Sequence, residues 1–558
     1  MHLFVLIFAF GIAFTPGYGH PSYGHPDTLK GLHFIGVGYD IMRGNPDCDL
    51  SKGGIDPELK TTRKILKLTW NDGKLSVDKK YKVPDQIAFA DRNSHVEEIV
   101  QKVFFGPRSY QDKLKTVVKV DGGVNYVLWK FAFSLNTMYQ KVSYQTFYAE
   151  NVFYEEKTVH NLGKARYQMD LVKSERFSIT NEFAAAVCNL PQIYDRMAYH
   201  RFIKDWGTHI VSEVELGTKK IERYKSSYAD FVKYAMKHVK TAVSMSVSSE
   251  YRRYRSSLSV DSKRFTASMT TGISFGSDKV MFQCGTSNNP EPIGMRLISI
   301  DQAFDDSFFK ALSKKYKCQN LAQRRLNVKK ILEEYPVLEG AKIYPQDPII
   351  RIPLTWPLGK YGLPMAKSGC PNGGFWHTGW RYHDTEDKDP NNHWSNPYDL
   401  SGRVGKSYMN QEFCIKTKSR TSRYNMPWPE GKYCIFKKED CPADFEEAYI
   451  RWDDEDDDNR NERGGTLPEG HYNYNTRIEY CCRTDGDATE AIRLPTGSPF
   501  ALIKANIHFC QEVVGMRHRS AYFYWDTEDH KPNAAIHGPI NAELDSHRNI
   551  KVHYCHYT

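Results

Sequence analysis

Residues 199–217 constrain the fold of this chain more than any other stretch, because a helix must end and a strand must begin within them. Apolar residues as far as Trp206 recur at near-helical spacing, and from Ile210 onward apolar and polar residues alternate as they do in a strand. Gly207 lies at the junction, where a residue without a Cβ lets a helix end pack closely against a strand start. His209 has no acid or nucleophile at useful spacing, so the pattern favours a packing role over a catalytic one.

The same stretch resembles the signature of the membrane attack complex/perforin (MACPF) family. That signature is a tyrosine, six residues, an aromatic residue, Gly-Thr-His, a second aromatic residue, six residues and two glycines. Here Trp206 stands for a smaller aromatic residue, Ile210 for the second aromatic residue and Thr218 for the second glycine. In the family the two glycines lie where a central antiparallel sheet bends, so Thr218 makes that bend harder to form. The matching residues are Tyr199, Trp206, Gly207, Thr208, His209 and Gly217.

A chain of 558 residues is too long for a single core, so two or three domains are expected. An apolar run near the start, followed by small residues, predicts a secretory signal peptide over residues 1–19. A proline-rich stretch, residues 344–364, marks a domain boundary. The predicted fold is α+β. A MACPF domain at 20–343, with a bent antiparallel sheet flanked by helical clusters, precedes a disulfide-rich, mostly β domain at 365–558.

Composition limits the compartment and the chemistry. The formal net charge of +9 favours anionic surfaces such as lipid without indicating nucleic acid. No stretch after the signal peptide reaches the roughly 18 apolar residues of a membrane-spanning helix, so strands or surface contacts would have to carry any membrane entry. Twelve cysteines in a secreted chain are best interpreted as disulfides. The sequence contains no His-Glu-x-x-His motif and no phosphate-binding loop, so an enzyme is not expected.

Residues 226–264 combine a helix pattern with a strand pattern. From Tyr228 to Val239 apolar residues recur at i, i+3, i+4 and i+7, which predicts an amphipathic helix. The period then changes to two, because apolar residues alternate with serine. Between residues 219 and 264 twelve Lys or Arg outnumber four Asp or Glu, which by itself favours a solvated basic helix packed on a sheet. The alternating apolar residues are Val243, Met245, Val247, Leu258 and Val260.

Residues 131–156 are a second stretch of this kind. In it Phe131, Phe133 and Leu135 alternate with smaller or polar residues. In perforin-like proteins two helical clusters, one on each side of the signature in sequence, unfurl into membrane-spanning hairpins. Residues 131–156 and 226–264 occupy these two places, so the resemblance implies that both segments insert into a membrane.

The residue types of these segments suit such a conversion. Alternation gives an inserted strand one face for lipid and one for water. Positive charge attracts the second segment to anionic lipid. Arg252, Arg253 and Arg255 cannot face lipid at the bilayer centre without a large cost, so we place them at the hairpin tip or facing the lumen.

The last 200 residues repeat one unit three times, with periods of 72 and 66 residues. Each unit opens with Pro-x-Gly, continues with a cysteine and an acidic box, and ends in a strand that carries a cysteine, which predicts a pseudo-threefold β domain. The acidic boxes are residues 383–387, 452–456 and 525–529. Carboxylates in a turn supply oxygen ligands for calcium, but three copies at the same place favour hydrogen bonds to neighbouring backbone. No cofactor is therefore expected, with calcium as the alternative.

The repeats also indicate which cysteines pair. The first repeat predicts a Cys370–Cys414 disulfide and the third a Cys510–Cys555 disulfide. In the second, Cys441 is expected to pair with Cys481 or Cys482, and Cys434 is left for the other member of that doublet or for a second chain.

The repeats resemble the C-terminal domain of apextrin over almost all of residues 356–558. The match is carried by residues 361–371, 379–387, 450–456 and 482–485. Members of that family are extracellular invertebrate proteins, and the resemblance implies a carbohydrate or microbial surface as ligand. A MACPF domain followed by an accessory domain is also similar to the large subunit of the snail-egg perivitellin toxins.

These patterns together predict a secreted pore-forming protein that docks through its C-terminal domain, assembles with copies of itself into a ring and inserts hairpins into a lipid membrane. The expected partners are lipid, the chain itself and a surface glycan, with no nucleic acid. The alternative is a non-lytic adhesion, storage or egg-matrix protein that keeps the fold. Immune, egg-defence and venom roles all fit the sequence.

Overall fold

The computed structural model describes most of the chain after residue 26. The predicted signal peptide, residues 1–19, and the three arginines at 252, 253 and 255 lie outside the described residues. The described residues are 27–48, 55–91, 97–121, 125–169, 178–247, 256–269, 278–286, 289–312, 315–316, 318–344, 346–386, 388–455, 458–505, 509–528 and 532–558.

The N-terminal region combines helices with strands. Seven of its described helices begin after a side chain that accepts a backbone N–H, among them those capped by Thr180, Asp195 and Ser227. The helices are α1 (Pro107–Val117), α2 (Tyr126–Lys130), α3 (Thr137–Phe147), α4 (Asn181–Asn189), α5 (Arg196–Trp206), α6 (Tyr228–His238), α7 (Ser262–Ala267), α8 (Asp306–Phe309) and α9 (Leu321–Leu338), with short 3-10 helices at Leu32–Phe34, Lys240–Ala242, Ile300–Phe304 and Lys310–Leu312. The strands are β1 (Asp27–Thr28), β2 (Gly38–Tyr39), β3 (Tyr81–Lys82), β4 (Ile87–Asp91), β5 (Glu97–Phe104), β6 (Val118–Asp121), β7 (Asn151–Tyr167), β8 (His209–Ser227), β9 (Val243–Val247), β10 (Ser256–Val260), β11 (Asp278–Cys284) and β12 (Glu291–Ser299).

Two long antiparallel strands, β7 and β8, form the centre of the main sheet. Its order is β4-β7-β8-β12-β6, with β5 also paired to β7 and with β2 and β11 also paired to β8. The largest apolar core lies against this sheet and gathers residues of α4, α5 and α9, among them Phe183, Phe202 and Ile331. The predicted helix-to-strand turn of residues 199–217 therefore lies at the centre of the fold.

A separate strand, β13 (Arg351–Pro353), leads from this region to the C-terminal domain. It lies within the stretch 344–364 that the sequence marks as a linker, and it pairs antiparallel with β10. The first strand of the C-terminal sheet, β14, also begins inside that stretch, at Tyr361.

The C-terminal domain is mostly β, and the described strands form one sheet system. Corresponding strands of the three repeats lie side by side, because β14 pairs with β18 and β18 pairs with β23. The strands are β14 (Tyr361–Pro364), β15 (His377–Asp384), β16 (His393–Trp394), β17 (Tyr408–Lys416), β18 (Tyr433–Lys437), β19 (Glu446–Trp452), β20 (Glu462–Gly465), β21 (Gly470–Tyr472), β22 (Thr476–Arg483), β23 (Phe500–Lys504), β24 (His518–Trp525), β25 (Ala535–His537), β26 (Ala542–Leu544) and β27 (Ile550–Tyr557). The α+β prediction, with a mostly β C-terminal domain, is confirmed.

All twelve cysteines pair within the chain. The disulfides expected inside the first and third repeats form, and in the second Cys441 pairs with Cys481. Cys434 pairs with Cys482, so the cysteine that the sequence left open for a second chain is used internally. The N-terminal region holds the other two disulfides, Cys48–Cys284 and Cys188–Cys318. In the part of the chain that the structure describes, no helix is both long and apolar enough to cross a membrane.

Candidate membrane-insertion site

The signature residues fix the turn between α5 and β8 against the start of the chain. Gly207 ends α5 with a φ of 89°, and a Cβ there would lie 2.7 Å from the backbone nitrogen of Tyr39. The Thr208 hydroxyl donates to the Tyr39 carbonyl (3.2 Å) and accepts from the Ile41 N–H (3.1 Å). Tyr199 donates its hydroxyl to a carbonyl eight residues earlier, that of Pro191. The positions in the signature are therefore those that a close crossing of backbones requires.

His209 is buried next to this crossing. Its Nδ1 lies 2.8 Å from the Thr208 hydroxyl. Burial lowers the pKa of His209 to about 4, against the opposing charge of Asp301, so the ring is neutral at pH 7. The geometry agrees with a packing role. The chain also contains a Gly-x-Ser-x-Gly pattern, residues 272–276, which lies outside the described residues.

Both central strands change their outer neighbours at one place. β7 pairs with β5 over residues 153–160 and with β4 over residues 163–167. β8 pairs with β12 over residues 209–217 and with β11 over residues 219–225. The sheet is thus divided into two halves that share only β7 and β8 among the described strands.

We call the join of these halves, residues 160–163 and 217–219, the strand-exchange point. The register of β7 and β8 shifts there, between Asn161 and Gly163. Gly217 is required because a Cβ at this residue would lie 2.1 Å from the His160 carbonyl oxygen. Thr218 occupies the place of the second glycine and pairs with His160, so the exchange forms without that glycine. A cavity of about 580 Å³ opens beside it.

A buried charge cluster joins α1, β7, β8 and the loop before residue 48. The Arg223 guanidinium lies 2.9 Å from Asp47 and 2.8 Å from Glu155, and the Lys113 amine lies 2.7 Å from Glu155 and also contacts Asp47. Burial alone would raise the pKa of Asp47, but the Lys113 and Arg223 charges hold it well below its usual range. The Tyr110 hydroxyl donates to Asp47 (2.9 Å). Sequence reasoning missed this cluster, although charged residues at inward positions of long strands were its signal.

The second segment contains an assembled hairpin. α6 forms over Tyr228–His238 as predicted, and β9 pairs antiparallel with β10 beside it. The apolar side chains of the hairpin, such as Leu258 and Val260, pack with Phe231 and Val232 of α6. Both stretches in which the period of two predicted a strand form one. In β10 burial does not alternate, because Ser257 is as buried as Leu258 and only Ser259 is partly exposed.

Serines form the other side of this hairpin. The hydroxyls of Ser244 and Ser259 lie 2.8 Å apart, and those of Ser246 and Ser257 lie 3.0 Å apart. The hairpin is therefore two-faced in the folded chain, with apolar residues against α6 and a ladder of hydroxyls opposite.

The first segment has a different form. In the described structure the alternating residues Phe131, Phe133 and Leu135 lie in turns between α2 and α3, within the helical cluster that the resemblance implies for the folded chain. Phe133 is fully buried with a φ of 65°, and its N–H donates to the Ile41 carbonyl (2.8 Å). Contacts with the core and with residues 41–42 override the alternating pattern. The α3 end instead exposes a group of aromatic side chains, Tyr144, Phe147 and Tyr148.

The acidic boxes connect the three C-terminal repeats in a cycle. The Glu386 N–H donates to the carbonyl of Asp526, the Glu455 N–H to that of Asp384 and the Glu528 N–H to that of Asp453, at 3.0–3.1 Å. One side-chain carboxylate in each box also accepts a backbone N–H from another repeat. These bonds are Arg460 to Asp384, Asn533 to Asp453 and Asn391 to Asp526.

This pattern is the structural role that the sequence favoured for the boxes. Among the described residues, no group of three or more His, Cys, Asp or Glu side chains is arranged to hold a metal ion. The last residue of each box, at 387, 456 and 529, lies outside the described residues, so the expectation of no cofactor, with calcium as the alternative, stays a prediction.

Two protein-family models match the chain. The MAC/Perforin domain matches residues 28–341, which is more than half of the chain. The C-terminal domain of apextrin matches residues 356–557. No curated protein matched the sequence.

Solved structures that match the chain share little sequence with it. A MAC/Perforin-domain protein from Bacteroides thetaiotaomicron is 12% identical with a TM-score of 0.29, over 62% of this chain and 67% of that one. GNIP1Aa from Chromobacterium piscinae is 12% identical with a TM-score of 0.33, over 89% and 88%. Astrotactin-2, a vertebrate-specific and perforin-like membrane protein, is 11% identical with a TM-score of 0.26, over 55% and 99%. Scores this low carry no argument about this chain.

The family match therefore rests on residues 28–341, which contain the signature turn, the strand-exchange point and both segments. The chain belongs to the membrane attack complex/perforin family, and it carries an apextrin C-terminal domain after its MACPF domain.

Proposed function

We propose that the chain is a secreted pore-forming protein that binds a target membrane, assembles with copies of itself and inserts residues 131–156 and 226–264 as membrane-spanning hairpins. The observation that carries this proposal is the hairpin β9–β10, which already has one apolar face and one hydroxyl face. The proposal includes no catalytic step and no cofactor.

The hairpin can enter a membrane without changing the pairing between β9 and β10. In the folded chain its apolar face is covered by α6, and in a bilayer acyl chains would cover the same face. The serine face then lines the water-filled side. Each strand would keep its backbone hydrogen bonds to its partner, which lipid demands. Insertion therefore exchanges one apolar cover for another.

The first segment needs a larger rearrangement. α2 and α3 must extend, and Phe133 must leave a fully buried site. The Tyr228 hydroxyl at the start of α6 donates to the Thr146 carbonyl in α3 (2.8 Å), so the two segments are held together. Movement of the second segment would therefore free an anchor of the first.

The C-terminal domain is proposed to dock on the target surface, through a lipid or a glycan of a microbial or animal cell. Its four disulfides and the cyclic contacts of its repeats support a rigid docking module, and six disulfides in the whole chain support secretion. Immune defence, venom, or an egg toxin like the perivitellins would each use such an arrangement.

Dye release from liposomes, with negative-stain microscopy of the same samples, tests the pore. Rings with leakage are expected over a range of lipids that includes anionic ones. Bound protein on intact liposomes would overturn the proposal and favour a non-lytic adhesion, storage or egg-matrix protein.

A matched pair of variants tests the role of the hairpin. Met245→Asp places a charge on the apolar face of the hairpin. Ser244→Asp places the same charge one residue earlier, where the side chain is exposed on the serine face. We expect Met245→Asp to bind liposomes without releasing dye and Ser244→Asp to release dye as the native protein does. Equal leakage from both variants would show that this hairpin does not face lipid.

A further inference from the structure

The strand before the C-terminal domain covers one edge of the candidate inserting hairpin. Ser257, Leu258 and Ser259 of β10 pair with Pro353, Ile352 and Arg351 of β13. The pairing extends by one residue at each end, because the Val260 N–H donates to the Ile350 carbonyl (3.2 Å) and the Leu354 N–H donates to the Ser256 carbonyl (3.0 Å). Residues 350–354 thus form the third strand of a small sheet, β13-β10-β9.

The chain order shows which way this covered edge faces. β8 leads through α6 into β9, and β10 leads towards β11, which pairs with β8 in the main sheet. An extended hairpin would therefore continue β8 and β11 in line. β11 has β8 as its partner among the described strands, so its other side, and with it the outer edge of β10, faces away from the chain's own sheet.

We propose that residues 350–354 occupy the strand edge that a second copy of this chain pairs with in the assembled pore, so that this segment must leave β10 before assembly. The proposal rests on the proposed function. A strand has two edges, β9 fills one edge of β10, and a closed ring of strands leaves no edge unpaired. The outer edge of β10 must therefore exchange its partner.

Residues 350–354, the covering segment, are held in place by buried apolar side chains and form the last strand of the small sheet. Ile350, Ile352 and Leu354 are each 2% exposed or less and pack into the same apolar cluster as α6 and the hairpin. Ser257 and Pro353 form a non-hydrogen-bonded pair, so the side of proline that lacks an N–H points outward. An outward-facing proline prevents a further strand from adding at that edge.

The same segment is bonded to the C-terminal domain, so movement of that domain can pull the segment away from β10. The buried Asn425 side chain donates to the Thr355 hydroxyl (3.0 Å) and to the Trp356 carbonyl (2.7 Å), directly after the covering segment. The Arg493 guanidinium donates to the Val243 carbonyl in β9 (3.1 Å). A displacement of the docked C-terminal domain would therefore act directly on residues 350–354.

A disulfide across the covered edge tests the proposal. Ser259 and Arg351 form a non-hydrogen-bonded pair, and the Cα atoms of such pairs lie about 4.5 Å apart, within the range of disulfides. The double variant Ser259→Cys, Arg351→Cys is oxidised and added to phosphatidylcholine–phosphatidylserine vesicles. We expect it to bind, to form no rings and to release no dye until a mild reductant is added. Each single variant, and the native protein in the same reductant, are the controls.

The outcomes separate the two proposals. If the oxidised variant releases dye as the native protein does, residues 350–354 need not leave and this inference is overturned, while the pore stands. If the native protein itself releases no dye, the proposed function fails, and this inference fails with it.

A second variant weakens the covering segment without a cross-link. Ile352→Ala removes apolar contacts on α6, and Ile450→Ala removes the same atoms from the core of the C-terminal domain. We expect leakage about tenfold faster than native for Ile352→Ala and unchanged for Ile450→Ala, with melting temperatures measured for both. Equal rates for the two variants would mean that the segment is only structural.

Discussion

Buried carboxylates serve different purposes in the two regions of this molecule. In the buried charge cluster of the MACPF domain, Asp47 and Glu155 lie against the charges of Lys113 and Arg223. In the C-terminal domain the box carboxylates accept backbone N–H groups from a neighbouring repeat. One region uses charge pairs between separate elements, and the other repeats one backbone contact three times.

This difference suits the MACPF domain to a change of conformation and the C-terminal domain to remaining rigid. A buried ion cluster adds little net stability, because burying the charges costs solvation free energy that is recovered when the elements separate. A backbone N–H that loses its acceptor inside a packed domain has no such compensation. The charge cluster therefore specifies where α1, β7 and β8 meet without preventing their separation.

The largest expected effect is on the charge cluster. Arg223→Met removes the guanidinium that contacts both Asp47 and Glu155, and we expect the free energy of unfolding to fall by about 3–5 kcal/mol. Urea denaturation measures the loss. A loss below 1 kcal/mol would mean that water already reaches these carboxylates and that the comparison above is wrong.

A smaller effect concerns Asp40, which accepts the Tyr335 hydroxyl (2.9 Å) in the MACPF domain. Burial, with the Glu58 charge, raises its pKa to about 6, against the opposing effects of the Tyr335 hydrogen bond and the Arg43 charge. A carboxyl whose folded pKa is raised stabilises the fold fully below its unfolded pKa, and this contribution is lost as the pH rises to about 6.

The measurement for Asp40 is stability at pH 4, 5, 6 and 7. Asp40→Asn should remove about 2–3 kcal/mol of the change in unfolding free energy between pH 4 and pH 7. Identical pH profiles for the native protein and the variant would show that Asp40 is ionised throughout.

A third prediction tests the equivalence of the repeats. Asp453→Ala removes the acceptor of the Asn533 N–H, and we expect a loss of about 1–2 kcal/mol of unfolding free energy. Asp384→Ala and Asp526→Ala should cost the same within error, and Asp440→Ala, at an exposed residue, should cost nothing measurable. Three unequal losses would show that the cycle is symmetric only in geometry.

The smallest effect is expected on the hairpin. Ser246 and Ser257 share a hydroxyl contact at 3.0 Å, and their coupling in a double-mutant cycle with alanine should be about 0.2–1 kcal/mol. A larger coupling would make the serine ladder a lock on the folded state and not merely a polar face.

The features that could be predicted from the sequence are those that a local pattern of residues determines. The turn at Gly207, helix α6, the strands around Met245 and Leu258, and the cysteine pairs within repeats all follow from short-range spacing. Phe133 shows the limit, because a contact with the backbone of Ile41 decides its conformation and no local pattern encodes that neighbour.

The covering strand shows the same limit in the candidate site. Residues 350–354 lie in a stretch that prolines mark as a linker, yet the isoleucines inside it are those of a strand. Only the fold brings β10 to them, about a hundred positions away in sequence. The buried charge cluster was missed for this reason as well, since its four members come from four separate elements.

The hydrogen-bond cycle of the C-terminal domain has a consequence for its architecture. A stack of repeats has two ends, so it can gain or lose a unit and can fray from its termini. A closed set of three has no end unit, and deletion of any one would leave an orphan donor and an orphan acceptor on the remaining two. The number of repeats in the domain is therefore fixed at three, and the domain should melt in one step. It would then act as a single rigid body that transmits force from its surface to the preceding strand, β13.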